Sequence, residues 1–222
     1  MPRSNEDIKN DIIDSLARDS RLKSHDVKIE ISNGLVVLTG SVQSYRAREA
    51  VEADVWKVSG VTAIDNRLDI VFPPGYRKPA DEAILESVDR LLRWDPDLFL
   101  EKITAFVHEG RVILEGSVDM LWKKFRAEEL VRNAGGVLAV VNKLAVITTG
   151  DVTDERIGQE ITGLLNRNSA LNVNTVSVEV QNGNVRLSGT VPNRNAFDIA
   201  EDIARYTQGV TNVDNQLVIK GV

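Results

Sequence analysis

The feature that most constrains the fold is an internal repeat, because the sequence aligns with itself at offsets of 76 and then 73 residues, with no gap inside any copy. The segment Leu-Thr-Gly-Ser-Val at 38–42 returns as Leu-Glu-Gly-Ser-Val at 114–118 and as Leu-Ser-Gly-Thr-Val at 187–191. Recurrence at a fixed offset indicates that each copy is one structural unit. We therefore predict three domains of equal size, with the ranges 1–72, 77–148 and 152–222.

Two short segments separate the copies. Residues 72–79 read Phe-Pro-Pro-Gly-Tyr-Arg-Lys-Pro, and residues 148–153 read Thr-Thr-Gly-Asp-Val-Thr. Both compositions are typical of linkers. The prolines of the first segment predict a semi-rigid spacer between the first two domains.

Each copy carries a helix pattern followed by a hairpin pattern. Ile8, Ile12 and Leu16 recur at helical spacing and predict an amphipathic first helix. Residues 27–31 and 36–39 alternate apolar and polar side chains on either side of a Ser-Asn-Gly turn, which predicts a β-hairpin.

A second helix and a third strand complete each copy. In the first copy the helix ends at Gly60, and Ile64, Leu68 and Ile70 follow at strand spacing. Because the helix returns the chain to its starting side of the sheet, strands two and three are expected to be parallel. The prediction is an α+β fold of three tandem αββαβ domains, each a three-stranded mixed sheet with two helices packed on one face.

These motifs resemble the BON domain, which is named for bacterial osmotically inducible and nodulation proteins. The resemblance rests on the hairpin ending Val-x-Leu-x-Gly-x-Val, the Gly-Val after the second helix and the closing strand with its central Asn, each found three times. It covers nearly the whole chain as three tandem copies. It implies a bacterial, non-enzymatic binding module that is often envelope-associated and is commonly described as binding phospholipids. Some relatives of this family bind potassium.

Two residue types recur in all three copies and are expected to be structural. The glycines that end strand two suit a positive φ or a close backbone approach; they are Gly40, Gly116 and Gly189. The asparagines lie between apolar neighbours on strand three, where a buried amide needs a hydrogen-bond partner; they are Asn66, Asn142 and Asn215. We expect each asparagine to tie strand three to a nearby loop.

The composition and the rest of the sequence argue against several classes of site. The chain has no cysteine, and its two histidines, His25 and His108, occupy different places in their copies. Neither a zinc site nor a nucleophile–base pair is therefore indicated, and the sequence has no phosphate-binding loop. A formal charge of −6 argues against nucleic-acid binding. We predict no enzyme activity, no cofactor and no metal site.

The copies also serve as controls for one another, because a position that is polar in two copies is expected to be exposed in the third. By this argument all three tryptophans are expected to be exposed, and the unexpected apolar surface concentrates in the middle copy. The residues so identified are Trp56, Trp94, Phe99, Phe106, Met120, Trp122 and Phe125. Such a set serves either interdomain packing, which Phe106 and Ile113 on the outward sheet face fit best, or a binding partner.

One segment at the start of the middle domain's second helix combines apolar side chains with three cations. Its candidate lipid- or partner-binding residues are Met120, Leu121, Trp122, Lys123, Lys124 and Arg126. Apolar groups beside cations are the pairing expected at an anionic membrane interface. We therefore consider an anionic phospholipid membrane surface, or an envelope protein, as the partner.

Three functions follow from the sequence. The first is a scaffold that acts in the stress response by binding phospholipid surfaces or an envelope partner. The second is a sensor that binds a small cation such as potassium, and the third is a purely structural or self-associating module. No stretch approaches the roughly 18 apolar residues of a spanning helix. The charged amino terminus predicts a cytoplasmic location for the chain as written, or a periplasmic one if a leader has been removed.

Overall fold

The computed structural model describes residues 3–20, 22, 26–150, 152–168, 171 and 175–219. The first domain contains α1 (Asn5–Arg18), β1 (Asp26–Ser32), β2 (Leu35–Val42), α2 (Tyr45–Trp56) and β3 (Ala63–Ile70). The second contains α3 (Asp81–Trp94), β4 (Lys102–His108), β5 (Arg111–Val118), α4 (Leu121–Arg132), β6 (Ala139–Asn142) and β7 (Ala145–Val146). The third contains α5 (Asp154–Arg167), β8 (Val176–Gln181), β9 (Asn184–Val191), α6 (Arg194–Tyr206) and β10 (Asn212–Ile219).

Helices α1, α2, α5 and α6 begin at a polar side chain that caps them. The Ser4 hydroxyl accepts from the amide of Asp7 at the start of α1, and the side-chain oxygen of Asn193 accepts from the amide of Ala196 at the start of α6. Such caps satisfy amides that have no partner inside the helix. From this start α1 buries Ile8 and Ile12 against the sheet, as their spacing predicts.

Each sheet has the hairpin's second strand at its centre. In the first domain β2 pairs antiparallel with β1 and parallel with β3, and the third domain has the same order. In the middle domain the third strand is in two pieces, β6 and β7, which both pair parallel with β5. The predicted α+β fold of three mixed-sheet domains is confirmed.

The second helices of the three domains, α2, α4 and α6, meet one another. Between the first and second domains, Arg132 of α4 donates from Nη1 to Glu49 Oε2 of α2 at 2.9 Å. The same guanidinium lies 5.9 Å from the centre of the Tyr45 ring. Between the second and third domains, the Arg205 guanidinium of α6 lies 4.1 Å from the centre of the Phe125 ring of α4.

We call each interface between two of the domains a seam. Two further side chains of α4 cross the seam to the third domain. Leu121 is only 4% exposed and belongs to the buried core cluster of the third domain. The Trp122 ring stacks on the Tyr206 ring of α6, with centroids 5.6 Å apart and planes 11° apart. The second and third domains therefore share a region of one apolar core.

The third domain also contacts the first, through the Arg194 guanidinium of α6, which lies 4.3 Å from the centre of the Trp56 ring of α2. The repeat offsets make Trp56 equivalent to Arg132, and Arg194 equivalent to Tyr45. The last seam thus uses the same two helix positions as the first, with the cation and the aromatic ring exchanged. The three domains form a closed ring of domains around α2, α4 and α6, as in a cyclic trimer. The linker of residues 72–79 joins domains that touch through α2 and α4, so it does not hold them apart as a spacer.

Candidate binding surface

The most exposed apolar side chains of the middle domain lie where α3 passes into β4. Trp94 is 84% exposed, Phe99 59% and Leu100 80%, whereas Leu98 between them is buried in the core. We call residues 94–101 the apolar loop. Leu98 fixes the loop to the domain, and its three large neighbours project into solvent.

A fourth exposed apolar residue lies at the same end of the sheet. Lys102 and Ala145 both pair with Ser117 of β5, from opposite sides. Leu100 precedes Lys102 by two residues and Ile147 follows Ala145 by two, so both extend past this end of β5. Ile147 is also exposed. Together with the apolar loop it forms an apolar rim at one end of the domain.

An ion pair with a buried carboxylate fixes the base of the apolar loop. The Asp95 side chain is buried, and its Oδ1 accepts from the amide of Asp97 at 3.0 Å. Its Oδ2 accepts from the guanidinium of Arg126 at 3.1 Å, which attaches the loop to α4. A buried carboxylate needs such partners to stay charged at acceptable cost.

A second ion pair holds the other end of the loop. Lys123 Nζ lies 2.5 Å from Glu101 Oε1 and 2.8 Å from Asp119 Oδ1, and all but a small fraction of the Lys123 and Glu101 side chains is buried. Two of the three cations proposed from the sequence for lipid contact, Lys123 and Arg126, are therefore engaged in holding the loop.

The remaining residues of that proposed set lie in several environments. Leu121 and Trp122 belong to the seam with the third domain. Met120 is half-buried at the N-cap of α4, and Lys124 is half-buried while its carbonyl accepts from Asn142 Nδ2 at 2.7 Å. The structure places the most exposed apolar side chains of this domain on the apolar loop instead. The comparison of copies identifies Trp94 and Phe99 there, but not Leu100 or Ile147.

The expected exposure of the other aromatic residues has a mixed outcome. Phe99, Phe106 and Phe125 are exposed, as is Trp94. The expectation is wrong for Trp56 and Trp122, which are half-buried because each stacks against a side chain of a neighbouring domain.

The recurring glycines occupy positions that only glycine fits. At Gly116 φ is +118°, and a Cβ there would lie 1.9 Å from the carbonyl oxygen of Lys102 on the paired strand. Gly40 and Gly189 have φ of +108° and +117° with the same 1.9 Å approach. Each glycine lets the second strand of its hairpin approach the first strand closely, at the first residue of β1 and β4 and just before the first residue of β8.

The recurring asparagines connect strand three to the second helix rather than to a loop. Asn66 Nδ2 donates to Glu52 at 3.0 Å, and Asn215 Nδ2 donates to Glu201 at 3.1 Å. Asn142 donates both to Glu128 and to the Lys124 carbonyl. In the second and third domains the same glutamate pairs with the arginine that reaches the neighbouring domain, so the asparagine also supports the seam; the arginines are Arg132 and Arg205.

The titratable groups give no sign of a catalytic constellation in the residues that the structure describes. There, no group of three or more His, Asp and Glu side chains is placed to hold a metal ion. His108 is exposed, and His25 lies outside the described residues. Burial raises the pKa of Glu49 above its ordinary value, and Arg132 opposes this only incompletely. That shift belongs to an interdomain seam.

Three segments of the chain match the BON domain: residues 4–71, 80–148 and 153–221. The chain belongs to the BON family. The match confirms the three tandem copies predicted from the repeat. Among the described residues of this BON protein, no helix is long and apolar enough to cross a membrane.

Two relatives are similar in sequence to this chain. Osmotically-inducible protein Y of Escherichia coli (strain K12) is 27% identical over 201 residues, which cover 87% of this BON protein and 98% of the relative. A 21 kDa hemolysin of Actinobacillus pleuropneumoniae is 30% identical over 138 residues, covering 60% and 71% of the two chains. Among solved structures, the C-terminal domain of CdsD, a type III secretion protein of Chlamydia trachomatis, aligns with 98% of this chain and 100% of its own, at 18% identity and a TM-score of 0.27.

Proposed function

We propose that this BON protein is a non-enzymatic scaffold of the bacterial envelope that docks on anionic phospholipid surfaces through the apolar loop. The observation that carries the proposal is the outward projection of Trp94, Phe99 and Leu100 from a loop whose base is fixed by Leu98 and by buried Asp95. Exposed apolar residues grouped on one loop mark a contact site. Tryptophan is favoured where one side of a group is apolar and the other wet, as at a membrane interface.

The charges beside the loop support an anionic surface. Arg93 and Lys102 are exposed at its two ends, and each cation contributes about 1 kcal/mol near anionic lipid. Opposing them are Asp97, which is exposed, and the formal charge of −6 on the whole chain. The attraction is therefore local and falls as salt is added.

The apolar contribution is modest. Full burial of a large apolar side chain is worth about 1.5–3 kcal/mol, so half-burial of the four rim residues gives roughly 3–6 kcal/mol. These four are Trp94, Phe99, Leu100 and Ile147. Together with two cations this supports weak, reversible attachment, as suits a peripheral scaffold.

The relatives agree with this proposal in a general way. One is called osmotically inducible and another a hemolysin. We accordingly propose that this BON protein acts in the response to osmotic stress.

The test is co-sedimentation of the protein with vesicles of phosphatidylglycerol and phosphatidylcholine, compared with vesicles of phosphatidylcholine alone. A triple variant, Trp94→Ser with Phe99→Ser and Leu100→Ser, replaces the projecting side chains without changing the charge. All three side chains are more than half exposed, so serine at these positions leaves the core intact. We expect the variant to lose at least about tenfold in vesicle affinity, equivalent to about 1.4 kcal/mol.

The matched control is Val218→Ser, which removes an exposed apolar side chain from the third domain. It should bind vesicles as the wild type does. A second measurement uses a protein with Trp56→Phe and Trp122→Phe, in which Trp94 is the one remaining tryptophan. The fluorescence emission of Trp94 should shift to shorter wavelength when anionic vesicles are added, and should not shift with vesicles of phosphatidylcholine alone. Equal binding by the wild type and the triple variant would reject the apolar loop as the lipid contact.

A further inference from the structure

The middle domain has a second exposed apolar surface, on the face of its sheet away from the helices. Phe106 of β4 pairs with Ile113 of β5, and Ile113 pairs with Val141 of β6. Their neighbours along the strands, Ala105 and Val112, are buried on the helix side. The three side chains therefore form an apolar row across all three strands of the open face, and Phe106 is 51% exposed.

The other two domains show that the fold does not require an apolar row. In the third domain the same positions are held by Glu179, Arg186 and Asp214, whose charges pair across the strands at 4.0 and 3.2 Å. In the first domain they are Glu30, Val37 and Asp65. The row is thus charged in the third domain, mixed in the first and apolar in the middle domain. An exposed apolar row that the fold does not require indicates a surface that a partner covers.

The charges beside the row indicate what covers it. On β5 the exposed Arg111 lies two residues before Ile113 and the exposed Glu115 two residues after it, both on the open face. We propose that the open sheet faces of two copies of this chain pack on each other, related by a two-fold axis that runs across the strands over Ile113. This axis places Arg111 of each copy opposite Glu115 of the other.

The alternative two-fold axis, parallel to the strands, is disfavoured by charge. It would place Arg111 over Arg111 and Glu115 over Glu115 of the second copy, and like charges facing each other across an interface are unfavourable. The favoured arrangement is an aligned packing of two sheets about 10 Å apart, with the two apolar rows between them. An isologous contact of this kind closes on itself and gives a dimer.

The dimer is weak. Three strands about 4.8 Å apart and five residues at about 3.4 Å each give a face of roughly 14 by 17 Å. That is well below the approximately 800 Å² per partner of a standard interface. We expect a dissociation constant of roughly 10–100 µM.

Sedimentation velocity of the full chain from about 1 to about 500 µM measures the association. The test variant carries Phe106→Glu, Ile113→Val and Val141→Asp, which installs the first domain's row. Because the first domain carries these residues on the same strands, the variant is expected to fold, and circular dichroism and a melting curve check this. We expect its dissociation constant to rise more than about tenfold. A wild type that stays monomeric at all concentrations, or a folded variant that associates as the wild type does, overturns the proposal.

A charge exchange tests the arrangement itself. Arg111→Glu alone and Glu115→Arg alone each place like charges opposite one another in both pairs of the dimer. Each variant should therefore associate more weakly than the wild type, whereas an equimolar mixture should form heterodimers that restore association. If the single variants associate normally, or the mixture stays monomeric, the proposed axis is wrong. Dimerisation that persists in the apolar-loop variant shows that this contact is independent of the lipid site, and its loss there overturns the assignment to the sheet face.

Discussion

The shared core between the second and third domains can be tested with Leu121→Ala. Leu121 is the first residue of α4 in the middle domain, yet its side chain is buried in the core cluster of the third domain. The change removes three carbon atoms, worth about 0.8 kcal/mol each when buried. A cavity term adds to this sum of roughly 2.4 kcal/mol, since buried Leu→Ala changes cost about 2.7–5 kcal/mol. We expect the free energy of unfolding to fall by about 3–4 kcal/mol.

Hydrogen exchange followed by mass spectrometry shows where that stability is lost. In Leu121→Ala, protection should fall in β8, β9 and β10 of the third domain, whereas β4 and β5 of the variant's own domain keep most of theirs. Leu114→Ala is the matched control, because Leu114 is fully buried in the middle domain's own core. It should give the opposite pattern.

Two results would refute this reasoning. One is a loss of stability below about 1 kcal/mol, which is the size of an ordinary surface or half-buried change. The other is faster exchange centred on β4 and β5, which would mean that Leu121 supports its own domain. Either result would remove the shared core and weaken the closed ring of domains.

Three further predictions concern single groups. Gly116→Ala should lower the free energy of unfolding in urea by about 3–5 kcal/mol, because a Cβ 1.9 Å from the Lys102 carbonyl must push the paired strands β4 and β5 apart. The control is Gly75→Ala, at a positive φ with open space around it, which should cost only about 1–2 kcal/mol. Glu49 is half-buried at the interface with Arg132, and this partial burial raises its pKa. Its folded state therefore favours the proton, so its contribution to stability is largest at low pH and falls as pH rises past its folded pKa. The stability of Glu49→Gln relative to the wild type should therefore increase between about pH 4 and pH 7, and a constant difference would contradict the assignment. Asp95→Ala should lower stability by about 1–3 kcal/mol and speed amide exchange in the apolar loop, and unchanged exchange would mean that the ion pair with α4 does not hold it.

The elements within each domain could be predicted from the sequence because they depend on local patterns. The spacing of Ile8, Ile12 and Leu16 places one apolar stripe on α1. The Asn33-Gly34 turn has φ of +49° and +80° at its two residues, which these residue types accept readily. In the middle domain Glu109 adopts the same conformation, with φ of +51°, because the surrounding hairpin is the same.

The seams between domains could not be predicted by comparing copies, for a physical reason. The comparison treats arginine at an equivalent position as a mark of solvent exposure, so Trp56 is expected to be exposed because Arg132 and Arg205 are its equivalents. Yet a guanidinium stacks on aromatic rings and pairs with carboxylates at interfaces. All three residues lie at seams. In this column arginine and tryptophan therefore mark contact surface, where both residue types are enriched.

The pattern of residues 120–126 suggests a basic and apolar patch only if its cations are free. Lys123 and Arg126 instead neutralise Glu101 and Asp95, carboxylates some 20 to 30 residues earlier in the chain. Periodicity along one helix carries no information about such long-range partners. The comparison of copies therefore identifies the middle domain as the one with surplus apolar surface, and Trp94 and Phe99 within it, but it does not show that Lys123 and Arg126 are paired with carboxylates.

Because the domains form a closed ring, the contacts between them do not depend on which domain comes first in the chain. Because the third domain meets the first as well as the second, a circular permutant that begins with the third domain could keep all three seams. In such a protein the peptide link that now crosses residues 148–153 would be cut, and a new one would join the third domain to the first. Deleting any one domain, by contrast, always breaks two seams. We therefore expect shortened chains of two such domains to need different residues at the helix positions of Trp56 and Arg194.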